Sequence, residues 1–424
     1  MLIEFSVANF RSYEQKQSFS MVKAGIDGPS NYFESGCGTA PDLVRSALIF
    51  GANASGKSNL LLAMGLMRRL VITSATDLKP GDELDIEPFR LSKKSRKAPS
   101  EFEAIFVTEG VRYQYGFSAT NDRVISEWLY AWPKKRVQVL YERNWNTSSE
   151  DYDWHFGAGL TGQKQTWRRS TRENCLFLSM AAQQNSDQLT DVYDWFRCTL
   201  KVATHSVWGS GVTARMIDEG GTDKKEVVDF LRRADLPVDD INIHKEPFDP
   251  RSHIPEQLPK PMADVIKDSM AGKDVESIMV AHLDREGSKQ VFDYDDESHG
   301  TRRIIDLAGP WVDSIKNGYV LVIDELDLHL HAKLIAYLVK EFHKLSSEES
   351  HAQLIFTTHN LSLLDQNVFR RDQYWFVEAD DNRASTLTSL SEFKASNRER
   401  LQESYLSGRF GALPYVDSLD GCEG

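Results

Sequence analysis

The sequence predicts an α/β protein: a mixed central sheet covered on both faces, with a small antiparallel β subdomain and a helical insert. Three stretches carry that expectation. The apolar run Ala47-Leu48-Ile49-Phe50 leads into Gly51-Ala52-Asn53-Ala54-Ser55-Gly56-Lys57-Ser58, and the periodic Leu60, Leu61, Met64 and Met67 follow, which reads as strand, glycine loop and helix. Tyr319-Val320-Leu321-Val322-Ile323 is continuously apolar and β-branched, as suits a parallel strand buried on both faces. Residues 332–342 place Leu334, Ile335, Leu338 and Phe342 on one helical face ahead of a second buried run, residues 353–357.

Taken in order, Ile3, Phe5 and Val7 alternate with Glu4, Ser6 and Ala8, the period of a half-buried strand, and lead into Asn9-Phe10-Arg11-Ser12. A second strand is expected over 17–22 and a loop rich in Gly, Pro and Ser over 25–41. In the octapeptide, glycines at the first and sixth positions let backbone N–H groups turn inward on an anion, and the helix beginning there adds its positive end. That is a nucleotide phosphate cradle. Lys57 is placed to reach the outer phosphates and Ser58 to hold Mg²⁺, with Asn53, Ser55 and Asn59 in the same cradle. Residues 77–97 read as a polar surface loop. Runs at 102–107, 113–117, 124–132 and 137–143 read as the small antiparallel sheet. Residues 144–172 read as a loop in which Trp145, Trp154 and Trp167 pack, and 175–180 as a short strand. Helical periodicity runs through Trp195 and Phe196 and recurs at 227–231 and 262–266, interrupted by prolines at 237, 247, 250, 255, 259 and 261. No heptad is sustained, which excludes a long coiled coil. Residues 1–182 and 301–424 are therefore expected to form one α/β body, with 183–300 as its insert. The tail adds strands near 374–378 and 385–390 and a helix over 398–406 that ends at Gly408.

Composition narrows the function classes. The chain has 424 residues, 41% of them hydrophobic, and 50 basic against 63 acidic residues give a net charge of −13. Nucleic acid could then be met only through local patches: Lys93-Lys94-Ser95-Arg96-Lys97, Lys134-Lys135-Arg136 or Arg168-Arg169. Cys37, Cys175, Cys198 and Cys422 form no CxxC pair, which points to reduced thiols in a cytoplasmic setting and against structural zinc. The N-terminal residues lack the pattern of a signal peptide, and no stretch reaches the ~20 apolar residues of a membrane span.

The chemistry-bearing residues lie beyond the glycine loop. Asp324 and Glu325 follow Val320-Leu321-Val322-Ile323, so both acids sit at the C-terminal end of a parallel strand, where α/β sheets bind ligands. Asp324 suits the metal side of the cradle, and Glu325 suits a base that polarises an attacking water. His359 closes the next buried strand, Phe356-Thr357-Thr358-His359, where an imidazole can sense a γ-phosphate. Asp293-Tyr294-Asp295-Asp296 reads as a solvated loop, and His329 and His331 as interface residues, not zinc ligands.

Glycine loop, Asp-Glu strand, Leu326-Asp327 and a strand ending in His359 occur in an order that resembles ABC-type ATPase heads of the RecF, SMC and OLD branch. Asn9-Phe10-Arg11-Ser12 is similar to that branch's N-terminal motif. The resemblance implies ATP and Mg²⁺ as ligands, Arg11 near the nucleotide, Leu326-Asp327 in a loop crossing between two heads, and His359 as the switch histidine. It also implies a signature loop that closes on a partner's nucleotide. The matching stretch is Glu297-Ser298-His299-Gly300-Thr301-Arg302-Arg303, with Ser298 and Gly300 as phosphate donors and His299 departing from the common form. A lobe-linking glutamine on the metal is implied at Gln183 or Gln184. More narrowly, 298–303, 324–327 and 406–412 are similar to RloA-like ATPases of bacterial defence and abortive-infection modules. That likeness implies a head-to-tail homodimer, with higher oligomers open, and a separately encoded effector such as a nuclease or Toprim protein. Only 65 residues follow His359, too few for the Toprim domain of OLD-type proteins. Two other readings are a RecF-like ATPase that clamps duplex DNA and an ATP-binding scaffold with negligible turnover.

Overall fold

The computed structural model describes residues 1–203, 210–254, 258–345, 350–393 and 400–411. Cys422, Ala412 of the family-like tail, and the start of the expected closing helix lie outside them. Packing divides the chain into two compact units, Met1–Val207 with Ser314–Gly424, and Trp208–Asp313. The expected 183–300 insert thus differs from the compact unit at both ends. Residues 183–203 stay with the first unit because they carry a helix and an edge strand of its sheet.

The first unit opens with β1 (Leu2–Ala8) and β2 (Gln17–Ser20), then the two-residue strands β3 (Tyr32–Phe33) and β4 (Leu43–Val44). On β1, Leu2, Phe5 and Val7 enter the main core, while Ile3 joins Phe33, Cys37, Leu43 and Val107 in a smaller cluster. Next come β5 (Ser46–Gly51) and α1 (Lys57–Thr73), then β6 (Ser100–Thr108), β7 (Val111–Ala119), β8 (Val124–Trp132), β9 (Gln138–Asn146) and β10 (Asp151–Phe156). The sheet expected to be small has seven strands in the order β10-β9-β8-β7-β6-β1-β2. It is larger because β1 pairs antiparallel with both β2 and β6. It also gains β10, inside a stretch read as loop: Tyr152, Trp154 and Phe156 alternate with Asp151, Asp153 and His155, a period that the surrounding Ser, Thr and Gly obscure. The tryptophans there pack as expected: Trp145 meets Tyr152, and Trp154 and Trp167 meet Phe177.

Helices α2 (Lys164–Ser170), α3 (Phe177–Gln183) and α4 (Asp187–Asp194) follow, then a π-helical turn (Trp195–Thr199) and β11 (Leu200–Ala203). The strand expected over 175–180 is the start of α3. Phe177, Leu178, Ser179, Met180 and Ala181 are all buried, so the segment shows no amphipathic period. A buried carboxylate starts this helix: Glu127 accepts the N–H groups of Phe177 (2.8 Å) and Leu178 (3.0 Å).

The second unit holds α5 (Gly211–Glu219), α6 (Gly221–Arg233), β12 (Asp240–Pro247), α7 (Pro250–His253), α8 (Lys260–Met270), β13 (Asp274–Leu283), β14 (Lys289–Asp293) and most of α9 (His299–Asn317). Beyond the expected helices it contains an antiparallel sheet, β12-β13-β14, whose mostly exposed outer strands lack a strong apolar alternation. Pro310 inside α9 removes one backbone donor. The Asp306 carbonyl loses its helical donor, and the Thr213 hydroxyl approaches it (3.4 Å) while bridging the neighbouring pair, accepting the Gly309 N–H (2.9 Å) and donating to the Ile305 carbonyl (2.8 Å).

The chain returns to the first unit with β15 (Val320–Ile323), α10 (Ala332–Leu345), β16 (Gln353–Thr357), β17 (Tyr374–Ala379), β18 (Ser385–Ser389) and α11 (Leu401–Leu406). The central sheet runs β11-β15-β16-β5-β17-β18, parallel except for the antiparallel edge pair β17–β18. It is covered on both faces, as its apolar strands require. Ile49, Val322 and Ile355 share a core with α1 and the antiparallel sheet, and their alternates Leu48, Leu321 and Phe356 are equally buried.

Candidate nucleotide site

The glycine loop connects the end of β5 to the start of α1. Gly56 caps the helix with φ 108°, and Ala54 also has positive φ, 61°. A Cβ on Gly51 would meet the Val377 carbonyl and the Ser55 hydroxyl, so the first glycine is a close approach and the second a left-handed turn. The loop is held from behind. Tyr13 donates to the Gly56 carbonyl (3.0 Å), Asn59 to the Ser12 hydroxyl (2.8 Å), and Ser385 to the Ser55 carbonyl (2.5 Å). Ser12, Tyr13 and Ser385 thus support the cradle, and sequence reasoning named none of them for it.

Lys57 lies folded over its own loop and donates to the carbonyls of Gly51 (2.8 Å) and Ala52 (3.0 Å). Burial lowers its pKa, and the charges of Asp324, Glu325 and Asp327 oppose that shift. Asp324 is 5% exposed at the end of β15. Thr357 ties the two acids together. Its hydroxyl donates to Asp324 Oδ1 (2.6 Å) and accepts the Glu325 N–H (2.7 Å). Glu325 has φ 47°, a strained conformation that a surrounding framework must hold. Asp327 accepts the His359 N–H through Oδ2 (3.0 Å), while its buried Oδ1 has no hydrogen-bond partner among the described residues. Burial and then Lys57 lower the pKa of His359, with Asp327, Glu325 and Asp324 pulling the other way, so the imidazole is neutral near pH 7. Lys57, Asp324, Glu325, Asp327 and His359 therefore share one electrostatic neighbourhood at the C-terminal ends of β5, β15 and β16.

Other expected residues are placed differently. The guanidinium of Arg11 pairs with Glu87 (2.9 Å) and lines a 390 Å³ cavity beside α1, one residue from the Ser12 contact with Asn59. Gln183 is not brought to the cradle. It donates to the Tyr193 hydroxyl (3.4 Å), which donates to the Ile72 carbonyl (3.2 Å) near the far end of α1. At 1.5 Å per residue, Ile72 stands roughly 20 Å along the helix from Lys57, so magnesium coordination is not a role for Gln183 in this arrangement. Gln184 turns to Met180. Ser298 and Gly300 start α9 in the second unit. Ser298 caps it, accepting the Thr301 N–H on its hydroxyl (3.2 Å) and the Arg302 N–H on its carbonyl (2.9 Å). His331 accepts the Lys333 N–H at the first turn of α10.

The donor set fits magnesium. Ser58 and Asp324 offer hard oxygens, and no group of three or more His, Cys, Asp or Glu among the described residues could hold a metal alone. Mg²⁺ is commonly bound by one or two protein oxygens together with substrate phosphates. When bound, the ion neutralises phosphate charge. No helix among the described residues is long and apolar enough to cross a membrane.

Residues 46–365 match the family model described as AAA domain, putative AbiEii toxin, Type IV TA system. Comparison with curated proteins returns no match. Among solved structures, the chain is similar to the SMC head domain from Thermotoga maritima, at 15% identity and TM-score 0.40 over 92% of this chain and 98% of that one. It is also similar to an SMC head bound to the C-winged helix domain of ScpA, at 15% identity and TM-score 0.37 over 92% and 97%. A third is an SMC head with an extended coiled coil, bound to the C-terminal domain of ScpA derived from Pyrococcus furiosus, at 12% identity and TM-score 0.38 over 92% and 97%. By that sequence match, which spans most of its length, the chain belongs to the family described as AAA domain, putative AbiEii toxin, Type IV TA system.

Proposed function

We propose that this protein is a switch ATPase that binds ATP with Mg²⁺, dimerises head to tail, and controls a separate effector, such as a nuclease, in bacterial anti-phage defence. The observation that carries this reading is the division of the site. Lys57, Asp324, Glu325, Asp327 and His359 gather in one compact unit, whereas Ser298 and Gly300 open a 19-residue helix in the other. A helix start is an anion site, and Ser298 with Gly300 can supply donors to a triphosphate held by a second copy.

In this mechanism Lys57 leaves the carbonyls of Gly51 and Ala52 for the outer phosphates, and Ser58 and Asp324 would hold a bound Mg²⁺. Glu325, fixed by Thr357, orients and deprotonates the attacking water. Neutral His359 donates toward the γ-phosphate and reports its loss. Each γ-phosphate is half satisfied by one chain, so ATP supplies part of the interface and hydrolysis removes it. The family's link to abortive infection supports the defence role.

Phosphate release by the wild type and by Glu325→Gln tests the enzyme, with a loss of about 10²-fold or more expected from removing a catalytic base. Equal rates sink the assignment and leave a nucleotide-binding scaffold. Light scattering tests the dimer: Glu325→Gln should accumulate an ATP-dependent dimer, and Ser298→Arg should abolish it. A second reading, an ATP-dependent DNA clamp, draws on the exposed Lys134, Lys135 and Arg136 between β8 and β9. Steeply salt-dependent DNA binding that requires ATP would favour it.

A further inference from the structure

The residue before Ser298 is held in an unusual way. His282, near the end of β13, places Nε2 2.7 Å from Glu297 Oε1 and Nδ1 3.1 Å from the Pro237 carbonyl. Both partners are acceptors. A neutral imidazole carries one N–H and can satisfy only one of them, so the geometry calls for the imidazolium, which donates from both nitrogens. The Phe292 ring and the imidazole meet edge to face, with centroids 5.5 Å apart. The charged groups acting on His282 are Glu297 and, more weakly, Asp239, both acidic. One cation therefore joins three segments of the second unit: the turn at Pro237, the strand β13, and the chain entering α9.

We propose that His282 is a positioning residue which, as an imidazolium, fixes Glu297 and so the Ser298–Gly300 start of α9 in the form that meets a partner's triphosphate. This rests on the reading of Ser298 and Gly300 as the signature. The Ser298 cap orders the loop from its helix side, and Glu297 orders it from the other. Losing the proton leaves one imidazole nitrogen facing an oxygen with no hydrogen between them. The loop must then be ordered at the moment of dimerisation, which weakens it. The hydrogen bond to Glu297 raises the His282 pKa above 6.5. The sign follows: the brace is fully present below about pH 6.5 and is lost as pH rises through the raised value.

Two measurements on the full chain test this. The first is the NMR titration of the His282 ring, assigned with His282→Gln. The wild-type midpoint should lie above 6.5 and should drop in Glu297→Gln. The second is dimerisation driven by the hydrolysis-resistant analogue AMP-PNP with Mg²⁺, followed by light scattering from pH 6 to 9. The wild-type association constant should fall by up to about a hundredfold per pH unit above the His282 midpoint, as the loss of one proton from each of the two chains requires, before levelling off. Glu297→Gln and His282→Gln should be weaker at pH 6 and nearly flat. A wild-type midpoint at or below 6.5 overturns the brace. A raised midpoint with pH-independent dimerisation overturns its link to the signature. If AMP-PNP drives dimerisation of Ser298→Arg as well as of wild type, the signature reading itself has failed, and the titration still reports separately on the brace.

Discussion

Thr357 shows how much of the site depends on one hydroxyl. It donates to Asp324 and accepts from the backbone of Glu325, so it sets the proposed metal-side acid and the proposed base in one step. Thr357→Val keeps the shape and removes both bonds. Turnover should fall at least tenfold, and unfolding in urea should show a loss of about 1–3 kcal/mol, since a buried carboxylate loses one of its donors. Thr357→Ser should retain most activity, and a fully active Val variant would show that the acids are held otherwise. Gly56 is a second single-residue constraint. Its φ of 108° leaves no relaxed place for a Cβ, and the added carbon would meet the hydroxyls of Ser385 and Ser12. Gly56→Ala should therefore lose ATP binding in a fluorescent-nucleotide titration while Gly65→Ala, in the middle of α1, keeps it. The acids, the histidine and the glycines were legible because their spacing is a motif. The supporting roles of Thr357 and Ser385 were not, because a lone hydroxyl carries no pattern until the chain brings it to its partner.

At the scale of elements, α10 is locked to the strand before the glycine loop by an uncharged contact. His343 Nε2 lies 2.8 Å from the Ser46 hydroxyl, which also accepts from Gln373 (2.8 Å). Gln373 is oriented by the Arg370 N–H on its Oε1 (2.7 Å), so the Ser46 hydrogen is directed at His343. Burial lowers the His343 pKa from 6.5 to about 3. The folded chain stays neutral there while the unfolded chain takes up a proton below pH 6.5. Stability is complete above that value and declines as pH falls toward 3, by up to about 1.4 kcal/mol per unit. His343→Gln should flatten that part of a stability profile measured between pH 7 and 5. The antiparallel sheet has its own polar anchor. Glu127 and Arg143, both fully buried, pair at 3.0 Å, and Glu127 also accepts from Tyr115 (3.1 Å) and Tyr141 (2.8 Å). Glu127→Ala leaves Arg143 charged in the core and frees the start of α3, so about 3–5 kcal/mol should be lost in urea unfolding. This network also explains why α3 was unreadable: its N-terminus is capped by a residue 50 positions away, and its burial on all sides hides the helical period.

For the whole molecule, ATP with Mg²⁺ should raise the thermal midpoint by mass action, about 2.7 kcal/mol at a hundredfold excess over Kd, and chelation of the metal should reverse most of the shift. A midpoint unmoved by ATP and Mg²⁺ would contradict the nucleotide site. The sequence by itself determined the α/β class, the glycine loop between a strand and a helix, the strand that ends at Asp324 and Glu325, and the place of His359. Each is a local matter: a run of side chains with the right period, ended by residues whose chemistry is tied to the end of a strand or the start of a helix. Only the tertiary structure decided that β1 and β2 belong to the antiparallel sheet, that Leu200–Ala203 is the edge of the central one, and that Gln183 stays away from the cradle. Strand partnership depends on backbone hydrogen bonds between separate segments, as where Leu200 pairs with Val320, and the place of Gln183 on a side-chain contact with another helix, and neither leaves a mark on the order of amino acids within one segment.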